Sequence, residues 1–109
     1  MATSYKVLGQ SAPSATTATD LYTVPAATEA IVSTINVVNT NPTADTIRIA
    51  IRPGGASLAV NHYIVYDLSL EGSATFTYTG GITLAATDVV TVYSTSGHST
   101  FNAFGSEIA

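Results

Sequence analysis

The feature that most constrains the fold is a two-residue alternation of apolar and polar side chains, which recurs in short segments along the chain. In residues 45–52 the isoleucines occupy every second position, with threonine, arginine and alanine between them. Because successive side chains of a strand point to opposite faces, this pattern predicts a half-buried antiparallel strand. We expect Ile47, Ile49 and Ile51 to lie on its inner face.

Comparable segments follow one another at a spacing of about ten residues, and none shows a sustained helical period. They are residues 5–8, 21–24, 29–40, 45–52, 62–70, 74–79, 82–84, 88–95 and 100–108. With residues 74–79 and 82–84 counted as one interrupted strand, these are about eight short strands, which predict an all-β fold, a single antiparallel β-sandwich or jelly roll, with a closed barrel as the alternative. The 109 residues fit one domain, 1–109, in which residues 11–19 form an extended loop or an arm laid on a neighbour.

Two of these segments have further internal features. Residues 29–40 carry apolar side chains on both faces, which indicates a central strand or a strand with a bulge. In residues 62–70 the alternation places one set toward the core. That set is His62, Ile64, Tyr66, Leu68 and Leu70. Gly80 and Gly81 are expected to break or bulge the ladder between residues 74–79 and 82–84.

The charge content excludes several classes of partner. Charged residues make up 9% of the chain and the net charge is -4, whereas nucleic-acid binding depends on many Lys and Arg side chains. We therefore expect neither a nucleic acid nor a membrane as partner. The first ten residues lack the basic start and apolar stretch of a secretory signal, so we expect the chain to stay in a cytoplasm.

No motif in the sequence predicts an enzyme. Cysteine is absent, which excludes disulfides and thiolate metal sites. His62 and His98 have no metal-ligand spacing, and no Gly-x-Ser-x-Gly motif occurs. The sequence therefore predicts no catalytic residue, no cofactor and no metal.

Five residues are candidates for a contact between subunits. Arg48 and Arg52 share the polar face of one strand, where they contact either a cross-strand acid such as Asp67 or Glu71 or an acid of another subunit. Phe101 and Phe104 have opposite parity, so both cannot face one core unless a bulge re-aims one of them. With Ile108 they keep the chain's end apolar, which favours contact with a neighbouring chain.

Tyr63, Tyr78 and Tyr93 are the candidates for stacking on a sugar. They belong to a second class of function, a glycan-binding module. The absence of tryptophan weakens this alternative.

Five segments together resemble a family of small virion structural proteins of tailed bacteriophages, notably those of cyanobacteria. They are residues 4–10, 21–25, 62–67, 81–93 and 101–108, the last reading Phe-Asn-Ala-Phe-Gly-Ser-Glu-Ile. The resemblance spans nearly the whole chain and implies a non-enzymatic virion protein. It provides no catalytic residues.

Within that class, a single small domain favours a capsid decoration or cement protein, with a tail, neck, baseplate or fibre component as the alternative. The expected partners are other copies of the chain, as a trimer by analogy with phage domains, and the major capsid or tail proteins. The expected location is the virion, assembled in the host bacterial cytoplasm.

Overall fold

The computed structural model describes residues 2–109 and shows an all-β chain, which confirms the predicted fold class. The nine strands are β1 (Thr3–Ser11), β2 (Thr19–Thr23), β3 (Glu29–Asn39), β4 (Asp45–Arg52), β5 (Tyr63–Leu70), β6 (Thr75–Tyr78), β7 (Ile82–Leu84), β8 (Val89–Ser94) and β9 (Ser99–Ile108). Two short 3-10 turns, Pro53–Gly55 and Val60–His62, lie between β4 and β5. No helix within residues 2–109 is long and apolar enough to cross a membrane.

The strands form two antiparallel sheets. Sheet A has the order β1-β9-β3-β6, with β7 also paired to β3, and sheet B has the order β2-β8-β4-β5. β6 and β7 share one edge of β3 and are separated at Gly80 and Gly81, as predicted; Gly81 has a φ of 74°. If β6 and β7 are taken as one interrupted strand, the two orders are those of a jelly roll.

β3 is both a central strand and a bulged one, as its apolar pattern predicts. It lies between β9 and the β6–β7 pair, and its register with β9 shifts between Val32 and Thr34. At this point the two backbones approach so closely that a Cβ on Gly105 would lie 1.9 Å from the carbonyl oxygen of Ile31. The bulge changes which parity of β3 faces the core, so Val32 and Ile35 are both buried.

The core lies between the sheets and is built from inward-facing aliphatic side chains together with Tyr22 and Phe101. Ile47 and Ile49 are fully buried, and Ile51 packs against the same cluster while partly exposed. The inner face predicted for residues 45–52 is therefore confirmed. Phe101 is the largest of the fully buried side chains.

The inner face predicted for residues 62–70 is wrong in its first half. Leu68 and Leu70 pack in or against the core, but Tyr66 and Ile64 are exposed, and Val65 packs against the core instead. The register of β5 against β4 shifts between Ile47 and Ile49, where Tyr66 and Asp67 together occupy the space opposite one residue. This bulge, with Asp67 at a φ of 50°, reverses the alternation.

Residues 11–19 are a connection held on their own domain. Ser11 ends β1 and Thr19 begins β2. Between them Pro13 is buried, and the backbone N–H of Thr16 donates to the carbonyl of Ser94 at 2.9 Å. The segment is therefore a loop docked on its own domain, which is one of the two predicted alternatives; the other, an arm laid on a neighbour, stays a prediction.

Candidate functional site

The outer face of sheet A carries the largest group of exposed apolar side chains on one surface. Cross-strand pairing places Tyr5 and Val7 of β1 on the same side as Phe104 of β9. Ile31 of β3 lies across from Ser106 of β9, and Ile108 shares that side of β9 with Ser106 and Phe104. Tyr5 is 84% exposed and Val7 is 50% exposed. Single exposed apolar residues are ordinary on a protein surface, but a contiguous group of them indicates a contact surface. We call these five residues the sheet A apolar surface.

The apolar surface is confined to one half of the sheet. Beyond the bulges in β1 and β3, the outward residues are mainly amides and threonines, with Val38 partly buried among them. Gln10 donates to Asn102 at 2.7 Å, and Thr77 donates to Asn36. This division shows that the apolar residues form a patch with a boundary.

The patch reaches an unpaired strand edge, because β1 ends the order of sheet A. Edge strands are usually protected by charges such as lysine. The only lysine of the chain, Lys6, lies on β1, but its ammonium is bound to the Glu107 carboxylate at 2.5 Å. That charge is therefore neutralised within the chain.

The five predicted contact residues fall into three groups. Phe101 lies in the core with its side chain 0% exposed, so that side chain does not reach the surface of the domain. Phe104, 36% exposed, and Ile108 lie on the sheet A apolar surface. Thus the parity argument is confirmed: one of the two phenylalanines faces inward and the other outward.

Arg48 and Arg52 lie on the outer face of sheet B, and each is paired within the chain. Arg48 Nε donates to Asp67 at 2.5 Å, as one of the two interpretations predicts, and Arg52 Nη2 donates to Asp20 at 2.9 Å. Each arginine is thus paired with an acid of its own chain, and the alternative, an ion pair between subunits, stays a prediction.

Three tyrosines and Asp67 surround Arg48 on sheet B. Arg48 lies directly across from Tyr93 of β8, and the bulge of β5 brings Tyr66 and Asp67 to its other side. The guanidinium carbon lies 4.5 Å from the ring centres of both Tyr66 and Tyr93, which is cation–π geometry with each ring. Tyr63 packs against Tyr66 with ring centres 4.8 Å apart. We call these residues the tyrosine–arginine cluster.

This cluster contains two of the three tyrosines proposed from the sequence. Tyr63 and Tyr93 belong to it, whereas Tyr78 lies in sheet A and packs against the core. The parity of Tyr66 predicts a core position for it, so the sequence does not indicate the cluster as a unit. A bulge leaves no periodic signal in the sequence, and the pairing of β4 with β5 and β8 is not local.

A buried carboxylate joins the sheets at one end of the sandwich. Asp45 is 3% exposed. It accepts hydrogen bonds from the hydroxyls of Ser94 and Ser99, both at 2.5 Å, and from the backbone N–H groups of Ser96 and Thr46. Burial alone would raise its pKa, but these four bonds to the charged form outweigh burial and lower the pKa from 3.8 to about 2.

A second polar bridge crosses between the sheets near β1. Tyr22 of sheet B donates to Glu107 of sheet A at 2.5 Å, and Lys6 binds the other carboxylate oxygen. Burial and then the bond to Glu107 raise the pKa of Tyr22 above its ordinary value, while Lys6 and Tyr22 lower that of Glu107. Both bridges act to hold the sheets together.

The histidines lie apart from these carboxylates. His62 Nδ1 accepts a hydrogen bond from the backbone of Ala59, and His98 is exposed in the β8–β9 turn. No group of three or more potential metal ligands occurs within residues 2–109. The features with an interaction chemistry are thus the sheet A apolar surface and the tyrosine–arginine cluster.

Comparison with known proteins adds no assignment: no family model and no curated protein matches this sequence. The resemblance to phage virion proteins therefore stays a prediction.

Proposed function

We propose that the chain is a non-enzymatic structural protein of a bacteriophage particle, a capsid decoration or cement protein that self-associates through sheet A. The observation that carries this proposal is the sheet A apolar surface, which adjoins the unpaired edge of β1. Jelly rolls recur in viral capsid domains and in lectins. The fold supports a virion role, but the surface is the specific argument.

A second copy of the chain is the occupant that fits this surface best. The patch offers apolar side chains and an unpaired backbone edge, and an identical β1 supplies both when two copies meet across a symmetry axis. Its charge is low because Lys6 and Glu107 pair with each other on the opposite side of β1 and β9, and the carboxylate beside the patch is Glu29, across from Ile108. A closed oligomer would cover the edge.

Sedimentation of variants tests this arrangement. Val7→Lys places a charge in the patch and should convert a micromolar oligomer into monomer, because an unpaired charge is costly to bury. The matched control is Val60→Lys, which makes the same change at a side chain that is 89% exposed in the β4–β5 connection. It should leave the oligomer intact.

Circular dichroism should show both variants folded. A wild-type chain that sediments as a monomer would contradict self-association. An oligomer that survives Val7→Lys would show that the contact lies elsewhere.

Within the same class of virion structural proteins, a tail, neck, baseplate or fibre position is the alternative to the capsid surface. The sheet A apolar surface would serve self-association there as well.

The tyrosine–arginine cluster supports a second candidate function, a glycan-binding module for host attachment. Tyr63, Tyr66 and Tyr93 gather aromatic rings and hydroxyls on the outer face of sheet B, away from the sheet A apolar surface. A particle protein that assembles through one sheet leaves the other free for a ligand.

A further inference from the structure

We propose that the tyrosine–arginine cluster binds acidic saccharides, with Arg48 holding the carboxylate of a uronic acid residue. This inference rests on the second candidate function, the glycan-binding module, and names its ligand class. It starts from a contrast between two arginines that share one strand and one face.

Arg52 has its hydrogen-bonding groups occupied by the chain. Its Nε donates to Thr91, its Nη1 donates to the carbonyls of Gly55 and Ala56, and its Nη2 donates to Asp20. Such an arginine is a structural clamp between the β4–β5 connection and β2.

Arg48 is held as firmly but is left with unused donors. Its Nε is bound to Asp67, and its guanidinium carbon lies 4.5 Å from the ring centres of Tyr66 and Tyr93. Within residues 2–109, neither Nη1 nor Nη2 of Arg48 has a hydrogen-bond partner, and the side chain is 26% exposed. The fork formed by the two terminal amino groups is therefore fixed in orientation and open to a ligand.

A fixed guanidinium fork matches a carboxylate, because its two parallel N–H groups bind the two carboxylate oxygens together. Asp67 already balances the charge of Arg48, so a ligand with a single negative charge at this point fits better than a doubly charged one. Immobilised donors also cost less conformational entropy on binding than mobile ones.

The remaining groups of the cluster favour a sugar as the carrier of that carboxylate. Tyr63, Tyr66 and Tyr93 present phenol hydroxyls that can donate and accept, and in the part of the chain that the structure describes they bond to no other residue. Asp67 uses Oδ1 for Arg48, which leaves Oδ2 as an acceptor. A uronic acid supplies the carboxylate and several hydroxyls on one ring, whereas an acidic peptide side chain supplies the carboxylate alone.

Titration of the full chain with trigalacturonate, followed by NMR chemical shifts, tests the inference. The matched ligand is the methyl ester of the same trisaccharide, which removes the charge and keeps the hydroxyls. We expect the ester to bind at least tenfold more weakly. Arg48→Lys keeps the charge but loses the fork, so it should weaken trigalacturonate binding at least tenfold. Arg52→Lys should change it less than twofold.

Tyr93→Phe removes one hydroxyl and keeps the ring over Arg48, so it provides a variant that preserves the fold and should weaken binding severalfold. Equal affinity for the acid and its ester would overturn the acidic assignment and leave the glycan-binding module standing. Absence of binding to either saccharide would overturn both. Equally tight binding of triglutamate, with the same loss in Arg48→Lys, would assign the site to protein carboxylates instead.

Discussion

Replacement of Phe101 by alanine should lower the free energy of unfolding by about 3–5 kcal/mol, which is the cost of deleting a buried aromatic side chain and leaving a cavity. Phe101 is the largest fully buried side chain, and it faces the core from β9, which pairs with both β1 and β3. Since small domains have about 5–15 kcal/mol in total, this single change would remove a large part of the stability. Urea unfolding monitored by circular dichroism measures it.

The control is the same change three residues along the strand. Phe104 is on the outer face and 36% exposed, so Phe104→Ala should cost less than about 1 kcal/mol, nearer to surface substitutions. It should instead weaken self-association, because it trims the sheet A apolar surface. Equal losses of stability in the two variants would contradict the inward and outward assignment.

Replacement of Asp45 by asparagine should cost about 2–4 kcal/mol at pH 7, because hydrogen bonds to a charged group are strong and an amide cannot accept four of them. The carboxylate has its pKa lowered to about 2 in the folded chain. Its contribution is therefore fully present above the ordinary pKa of about 4 and is lost as the pH falls from about 4 to 2. That shift corresponds to about 2 kcal/mol.

The wild-type chain should thus lose about 2 kcal/mol more than Asp45→Asn across that pH interval. Glu71→Gln, at an exposed side chain, is the control and should follow the wild type. Unfolding free energies at several pH values measure the difference. Parallel pH curves for wild type and Asp45→Asn would show that the buried carboxylate is not stabilised as its four hydrogen bonds indicate.

The strand positions could be predicted from the sequence because alternation is a local signal. The inner face of Ile47 and Ile49, the interruption at Gly80 and Gly81, and the opposite orientations of Phe101 and Phe104 all follow from parity or from turn residues. Each depends on a few neighbouring positions.

The rest depends on contacts between distant parts of the chain. Asp45 is recognisable as a strand-end acid, but its burial depends on Ser94 and Ser99, about fifty residues away. The tyrosine–arginine cluster requires the pairing of β8, β4 and β5 together with a bulge at Asp67. Neither the strand order of a sandwich nor the position of a bulge is encoded in a local period.

The most direct test of the proposed virion role is quantitative mass spectrometry of virus particles purified from cultures in which this sequence is expressed. We predict that the chain remains with the particles through purification at a fixed copy number, comparable with that of the major capsid protein if it decorates the capsid. A fixed number similar to that of tail proteins would place it on the tail. Particles that lack the chain would contradict a structural role in the virion.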